Sequence, residues 1–193
     1  MPFPSRRHRR KRFFKRGKRE LIWVSTFVTA DLQALTGDTD AFPIVTRDDW
    51  VRDPSQTDTI EKGAVVTRII GDVRVRTQNA GATGPGPAGA SYIWGIQKRD
   101  EDDTTVYDLT TNFFGEDWMH LQAGSLPPNN ATTVAFAPQP NWRHERIDIG
   151  VKRKLTSDDI VLFTFGGFDA TGGVASGDVL VVDYFFRTLI ALP

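Results

Sequence analysis

The chain has 193 residues, with 24 Lys and Arg balanced by 24 Asp and Glu, 13 Phe, five Trp and no Cys. The missing thiols exclude disulfides and thiolate metal sites, and no apolar run is long enough to cross a bilayer as a helix. The zero net charge conceals a division: residues 1–19 hold ten basic side chains and no carboxylate, leaving 14 basic against 24 acidic residues in the rest.

The first segment, 6–19, reads RRHRRKRFFKRGKR. Its cations are Arg6, Arg7, Arg9, Arg10, Lys11, Arg12, Lys15, Arg16, Lys18 and Arg19. So charged a segment has little to bury and cannot repay its ordering entropy until it meets a polyanion. Phosphate is the natural partner, bound through released counterions with little regard to sequence. For single strands the salt slope is roughly −0.7 per neutralised phosphate, so ten contacts give a slope near −7. Phe13 and Phe14 interrupt the run and can stack on unpaired bases. Seven Arg against three Lys suits bidentate phosphate contact. The same residues would serve as a nuclear import signal. No apolar helical face accompanies the charge, so a membrane anchor is not expected. The tail lacks the Ser-rich amphipathic pattern of a transit peptide, and the short apolar run after it is no secretory signal.

One domain follows the tail. About 170 residues can bury a substantial core without staples, and the abundance of Phe, Trp, Val, Ile and Thr favours strands. Residues 21–30 (LIWVSTFVTA) read as a strand buried on both faces, or as a first strand crossing a subunit contact. Residues 31–63 read as a long acidic connection, with room for a short helix or hairpin of its own. Residues 64–77 (AVVTRIIGDVRVRT) form the clearest strand: Val65, Thr67, Ile69, Val73 and Val75 are expected inward, and Arg68, Asp72, Arg74 and Arg76 outward. Gly71 marks a bulge or a close backbone approach.

Residues 78–90 are a Gly/Pro loop. Strands are then expected at 91–98, 106–109, within 113–122, at 133–137, 146–155, 160–168 and 179–192, with turns at 99–103, 124–132, 138–141 and 169–177. In 146–155, Ile147, Ile149, Val151 and Leu155 face in while Arg146, Asp148, Lys152 and Lys154 face out. In the last strand Leu180, Val182, Tyr184, Phe186 and Ile190 share one face. About eight strands with no long amphipathic helix fit an all-β, eight-stranded antiparallel jelly-roll sandwich behind a basic N-terminal arm.

Several strings carry a family likeness. VVTRIIGDVRV at 65–75, GEDWMHLQAG at 115–124, HERIDIGVKRKLTSDDIVLF at 144–163 and FFRTLIAL at 185–192 resemble stretches of capsid proteins of small circular single-stranded DNA viruses. The most specific pattern is a strand with an Asp, then a Lys/Arg cluster, then a Ser-Asp-Asp turn into an apolar strand. The resemblance implies a non-enzymatic coat protein: residues 1–20 a nucleic-acid-binding arm, residues 21–193 a single jelly-roll capsid domain. It implies self-assembly into a small icosahedral shell of about sixty copies. Sixty arms of about +10 each would bring roughly 600 charges against a genome of one to two thousand nucleotides. The implied partner is single-stranded nucleic acid, DNA ahead of RNA; satellite viruses with RNA genomes have coats of similar size and plan, so the resemblance leaves RNA open. The implied location is the virion, with the host nucleus during assembly.

Two basic sets on strands, Arg68, Arg74, Arg76 and Arg146, Lys152, Lys154, could line such a shell. The strands are expected on opposite sheets, so only one set should face the lumen; Arg68, Arg74 and Arg76 are the set assigned to nucleic acid. His8, His120 and His144 show no metal-type spacing or triad order. The acidic groups at 100–103 and 158–159 have oxygen ligands suited to a divalent cation but read as solvated turns. No metal or cofactor is assigned. The rival readings are a non-viral nucleic-acid-binding sandwich of chaperone or chromatin type, and an enzyme on a jelly-roll scaffold.

Overall fold

Eight antiparallel strands account for nearly all of residues 20–51, 63–79, 89–102, 118–127, 142–169 and 178–192, which are the residues described by the computed structural model. In chain order they are β1 (Leu21–Ala34), β2 (Thr36–Val45), β3 (Ala64–Asn79), β4 (Ala90–Asp100), β5 (Trp118–Leu126), β6 (Arg143–Leu155), β7 (Asp159–Asp169) and β8 (Asp178–Ala191). One sheet has the order β1-β8-β3-β6 and the other β2-β7-β4-β5. Each sheet thus draws non-consecutive strands, the interleaved Greek-key connectivity of a jelly roll. Strands expected at 106–109 and 133–137 lie outside the described residues.

The core is aromatic. Phe163 of β7 meets Tyr184 and Phe186 of β8 across the sandwich, with centroids 4.6 and 5.0 Å apart, and lies 5.8 Å from Trp94 of β4. Offset and tilted ring pairs add to the burial of their own area. The even-numbered face of β8 supplies Leu180, Val182, Tyr184, Phe186 and Ile190, all buried as the alternation predicts. On β6, Ile147 and Leu155 are buried, Ile149 and Val151 pack against the core, and Arg146, Asp148, Lys152 and Lys154 are exposed.

Four expectations need correction. First, β1 is not buried on both faces: it is the edge of its sheet, with Leu21, Trp23 and Phe27 58%, 41% and 71% exposed. Second, the supposed long acidic connection contains β2. It runs opposite β7, and a single 3-10 turn, Arg47–Asp49, follows it. Its acids and Pro43 hid the strand, but an edge strand tolerates a proline that donates no ladder bond. Third, the register of β3 slips between Val66 and Arg68 against both neighbours. That bulge reverses the alternation, so Val66 is fully buried while Val65 and Thr67 are only half-buried. Gly71 takes the other role expected of it: a Cβ there would run into the Phe186 ring and come within 3.0 Å of Ile147. Fourth, β3 and β6 are not on opposite sheets but are hydrogen-bonded neighbours.

The acidic turns are structural. Asp159 is 8% exposed; its Oδ1 accepts from Lys98 Nζ at 2.9 Å and its Oδ2 from Thr156 N and Oγ1 at 2.7 and 2.8 Å. Desolvation pushes its carboxyl pKa up, yet the bonds from Lys98 and Thr156 outweigh this and leave it below the ordinary value. The Glu101 amide donates to the Asp158 carbonyl, joining the two turns.

A polar latch closes one edge of the sandwich. Glu145, on the inner face of β6, accepts from Tyr92 Oη and Trp94 Nε1 of β4, both at 2.7 Å. Burial and the bond to Glu145 push the Tyr92 hydroxyl pKa up. His120 of β5 lies 5.0 Å from the Trp94 ring, and its Nε2 is buried without a hydrogen bond. Burial lowers its pKa from 6.5, with the Glu145 charge pulling the other way.

Two predictions follow from this packing. Gly71→Ala should destabilise by about 1–3 kcal/mol through overpacking, and Phe186→Leu should reduce that penalty in a double-mutant cycle read by urea unfolding. Because the folded His120 resists its proton, the unfolded chain protonates first. Stability should therefore fall as pH drops through 6.5 toward the lower folded value. In His120→Gln, the difference in urea midpoint between about pH 7.5 and about pH 5.5 should shrink.

Candidate nucleic-acid interface

The two sheets differ on the faces turned away from the core. At the centre of β4 and β7 that face is covered: Gln97 and Thr164 are fully buried and joined by a 3.0 Å hydrogen bond, and Arg99 is 6% exposed, while Phe168 at the end of β7 is 43% exposed. On the β1-β8-β3-β6 sheet it is open and cationic.

Strand register builds the open face row by row. Opposed residues of an antiparallel pair share a face. One row reads Phe27, Phe185, Asp72, Arg146 across all four strands. The next, toward the start of β1, reads Ser25, Arg187, Ile70, Asp148; the one beyond it reads Trp23, Leu189, Arg68, Gly150. On the other side, Asp183, Arg74 and His144 line up. Arg76 continues β3 on this face, and Lys152 and Lys154 continue β6. The face thus carries seven Arg and Lys, counting Arg187, against Asp72, Asp148 and Asp183.

The sequence-assigned cations differ in what holds them. Arg68 donates to Asp148 through Nε at 2.7 Å and Nη2 at 2.5 Å. That bond holds the Asp148 carboxyl below its usual range. Arg74 is over half exposed and lies 3.7 Å from Asp72. Arg76 sits over the Trp142 ring at 4.9 Å and donates to Gln78. Asp72 also holds His144 at 2.5 Å and Arg146 at 3.4 Å. The structure therefore gathers Arg68, Arg74 and Arg76 on one face, and adds the Arg146, Lys152 and Lys154 set that was expected elsewhere. The arm residues Arg6–Arg19, with Phe13 and Phe14, lie outside the described residues.

Sequence reasoning missed Arg187, whose guanidinium stacks 4.8 Å over the Trp23 ring. It also missed the aromatic content of the face. Trp23, Phe27, Trp142 and Phe185 are each at least 41% exposed. The signal was available in β8: once Phe186 faces in, Phe185 and Arg187 must face out. Phe27, Phe185, Asp72, Arg74 and Asp183 line an open depression of about 560 Å3.

No protein-family model and no curated protein matches the chain. Solved structures with a similar course include dimeric latent PorU from Porphyromonas gingivalis, at 8% identity and a TM-score of 0.40, covering 90% of this chain. This chain spans only 13% of the length of that one. Turnip yellow mosaic virus is similar at 11% identity and a TM-score of 0.34, over 92% of this chain and 96% of that one. The decameric BFDV capsid protein is similar at 10% identity and a TM-score of 0.36, over 89% and 98%. Likenesses this distant do not bear on what the face does.

Exposed ion pairs contribute little to stability. Asp148→Ala should leave the thermal unfolding midpoint within error of the parent while freeing the Arg68 guanidinium, read by differential scanning calorimetry.

Proposed function

We propose that the chain is a viral coat protein that assembles into a small closed shell and packages a single-stranded genome, DNA rather than RNA, with no catalytic role. Residues 1–20 form the arm that grips phosphate and residues 21–193 the jelly roll that packs against copies of itself, about sixty in a closed icosahedral shell. The protein resides in the virion, and the arm doubles as an import signal to the host nucleus.

One observation carries this reading. Ten cations in residues 1–19 join directly to β1, the edge strand of the jelly-roll sheet whose outer face is itself cationic. Jelly rolls also serve lectins and cupins, so the fold alone does not select a function. The charge map supports a polyanion partner: a polyanion along the arm would meet Arg74, Arg187 and their neighbours on the adjoining sheet. Confining a genome requires such neutralisation, since bare phosphates repel one another. The resemblance of the strings at 65–75 and 144–163 to capsid proteins of circular single-stranded DNA viruses supports the same reading and favours DNA.

Deletion of residues 1–19 should leave a folded body with the urea midpoint of the parent, while nuclease-protected nucleic acid in purified particles drops to background. Electron micrographs of the parent should show closed shells, and DNase rather than RNase should digest the extracted genome. An arm-deleted protein that still protects full-length genome would overturn the arm's role. A full-length protein that carries nucleic acid yet never exceeds a low oligomer would instead make it a non-viral nucleic-acid-binding sandwich.

A further inference from the structure

We infer that the open face of the β1-β8-β3-β6 sheet binds unpaired nucleobases, using Trp23 and the Phe27–Phe185 pair as two stacking platforms flanked by arginine. This rests on the reading that the chain handles single-stranded nucleic acid. It adds a base-contacting site on the folded body to the phosphate-contacting arm.

Three features of the face point to this occupant. The rings are exposed where a soluble sheet ordinarily places polar side chains. Phe27, 71% exposed, is the register partner of Phe185, 41% exposed, and both line one depression. Trp23 lies four residues earlier on β1, about 13 Å along the strand, so the two platforms are separate stations on one face.

Cations alternate with the rings. Arg187 stacks on Trp23 between the two platforms, and Arg74 borders the depression on the far side of Phe185. Aromatic faces for bases with guanidinium groups for the intervening phosphates are the usual elements of a sequence-tolerant single-strand track. Two carboxylates, Asp72 and Asp183, share the lining of the depression; Asp72 is surrounded by Arg74, His144 and Arg146, so its charge is locally offset.

The charge also disfavours the obvious alternative. With seven Arg and Lys against three Asp, this face would repel the same face of a second copy. It likewise repels the chain's own arm, which a polyanion could bridge to it. The arm enters at the Trp23 end, since Glu20 directly precedes β1 and its carbonyl accepts from the Leu192 amide beside it. A strand held by the arm is thereby delivered to the first platform.

The test uses full-length protein, a single-stranded 20-mer of deoxycytidine and an abasic 20-mer of equal charge, with affinities measured at several salt concentrations. Stacking on an aromatic side chain tightens binding by roughly 5- to 150-fold per base. The parent should bind the base-bearing strand tighter than the abasic one. Phe27→Ala/Phe185→Ala should lose at least about five-fold of that preference, with abasic affinity and salt slope unchanged. Phe27→Tyr/Phe185→Tyr should restore it. Both rings are exposed, so the truncations spare the core.

If the alanine variant keeps the full base preference, the bases stack elsewhere, Phe13 and Phe14 included, and the inference fails. It fails too if base-bearing and abasic strands lose affinity together, or if the variant keeps its base preference but no longer closes shells, which would make the strip a subunit contact. A parent that binds both strands equally sinks the platforms but spares the arm. A parent that binds neither sinks both readings.

Discussion

The sandwich depends on the contact of Phe163 with Tyr184 and Phe186, where the two sheets meet ring on ring. Room for Phe186 comes from Gly71 on the neighbouring strand, where any side chain would collide with it. Because a strand alternates strictly, committing Tyr184 and Phe186 to the core commits Phe185 and Arg187 to the opposite face. The same alternation on β3 buries Ile69, Val73 and Val75 and turns Arg68, Arg74 and Arg76 outward. The composition of the open face is thus a by-product of how the core is filled, and the bulge between Val66 and Arg68 keeps the two compatible.

The rest of the molecule reinforces that division. Glu145 ties β6 to Tyr92 and Trp94 at the edge of the sandwich, so the sheet with the cationic outer face is fastened to its partner sheet. On the other sheet the centre of the outer face is taken up by buried Gln97 and Thr164. The ten-cation arm precedes the edge strand of the cationic sheet. Net charge, which sums to zero, is uninformative about such a molecule; what matters is where each sign is placed.

Much of the fold was legible in the chain. Strand type, the inward faces of β6 and β8, and the all-β sandwich follow from period-two alternation, which any buried-on-one-side strand must show. β2 was not legible, because on an edge strand acids and Pro43 satisfy solvent rather than the pattern. Nor was the exposure of β1: its residues are apolar enough for a central strand, and only its position at the sheet edge leaves Trp23 and Phe27 open.

What the sequence by itself determined is the segregation of charge, the absence of cysteine chemistry and the strand-rich body, since these are properties of composition and local period. What only the tertiary structure decided is neighbourhood. With 63 residues between the end of β3 at Asn79 and the start of β6 at Arg143, the two strands still pair directly, which places two basic sets on one face instead of two. Phe27 and Phe185 become register partners for the same reason. Non-local pairing is set by the interleaving of eight strands around one aromatic core, and no local pattern encodes which strands become neighbours.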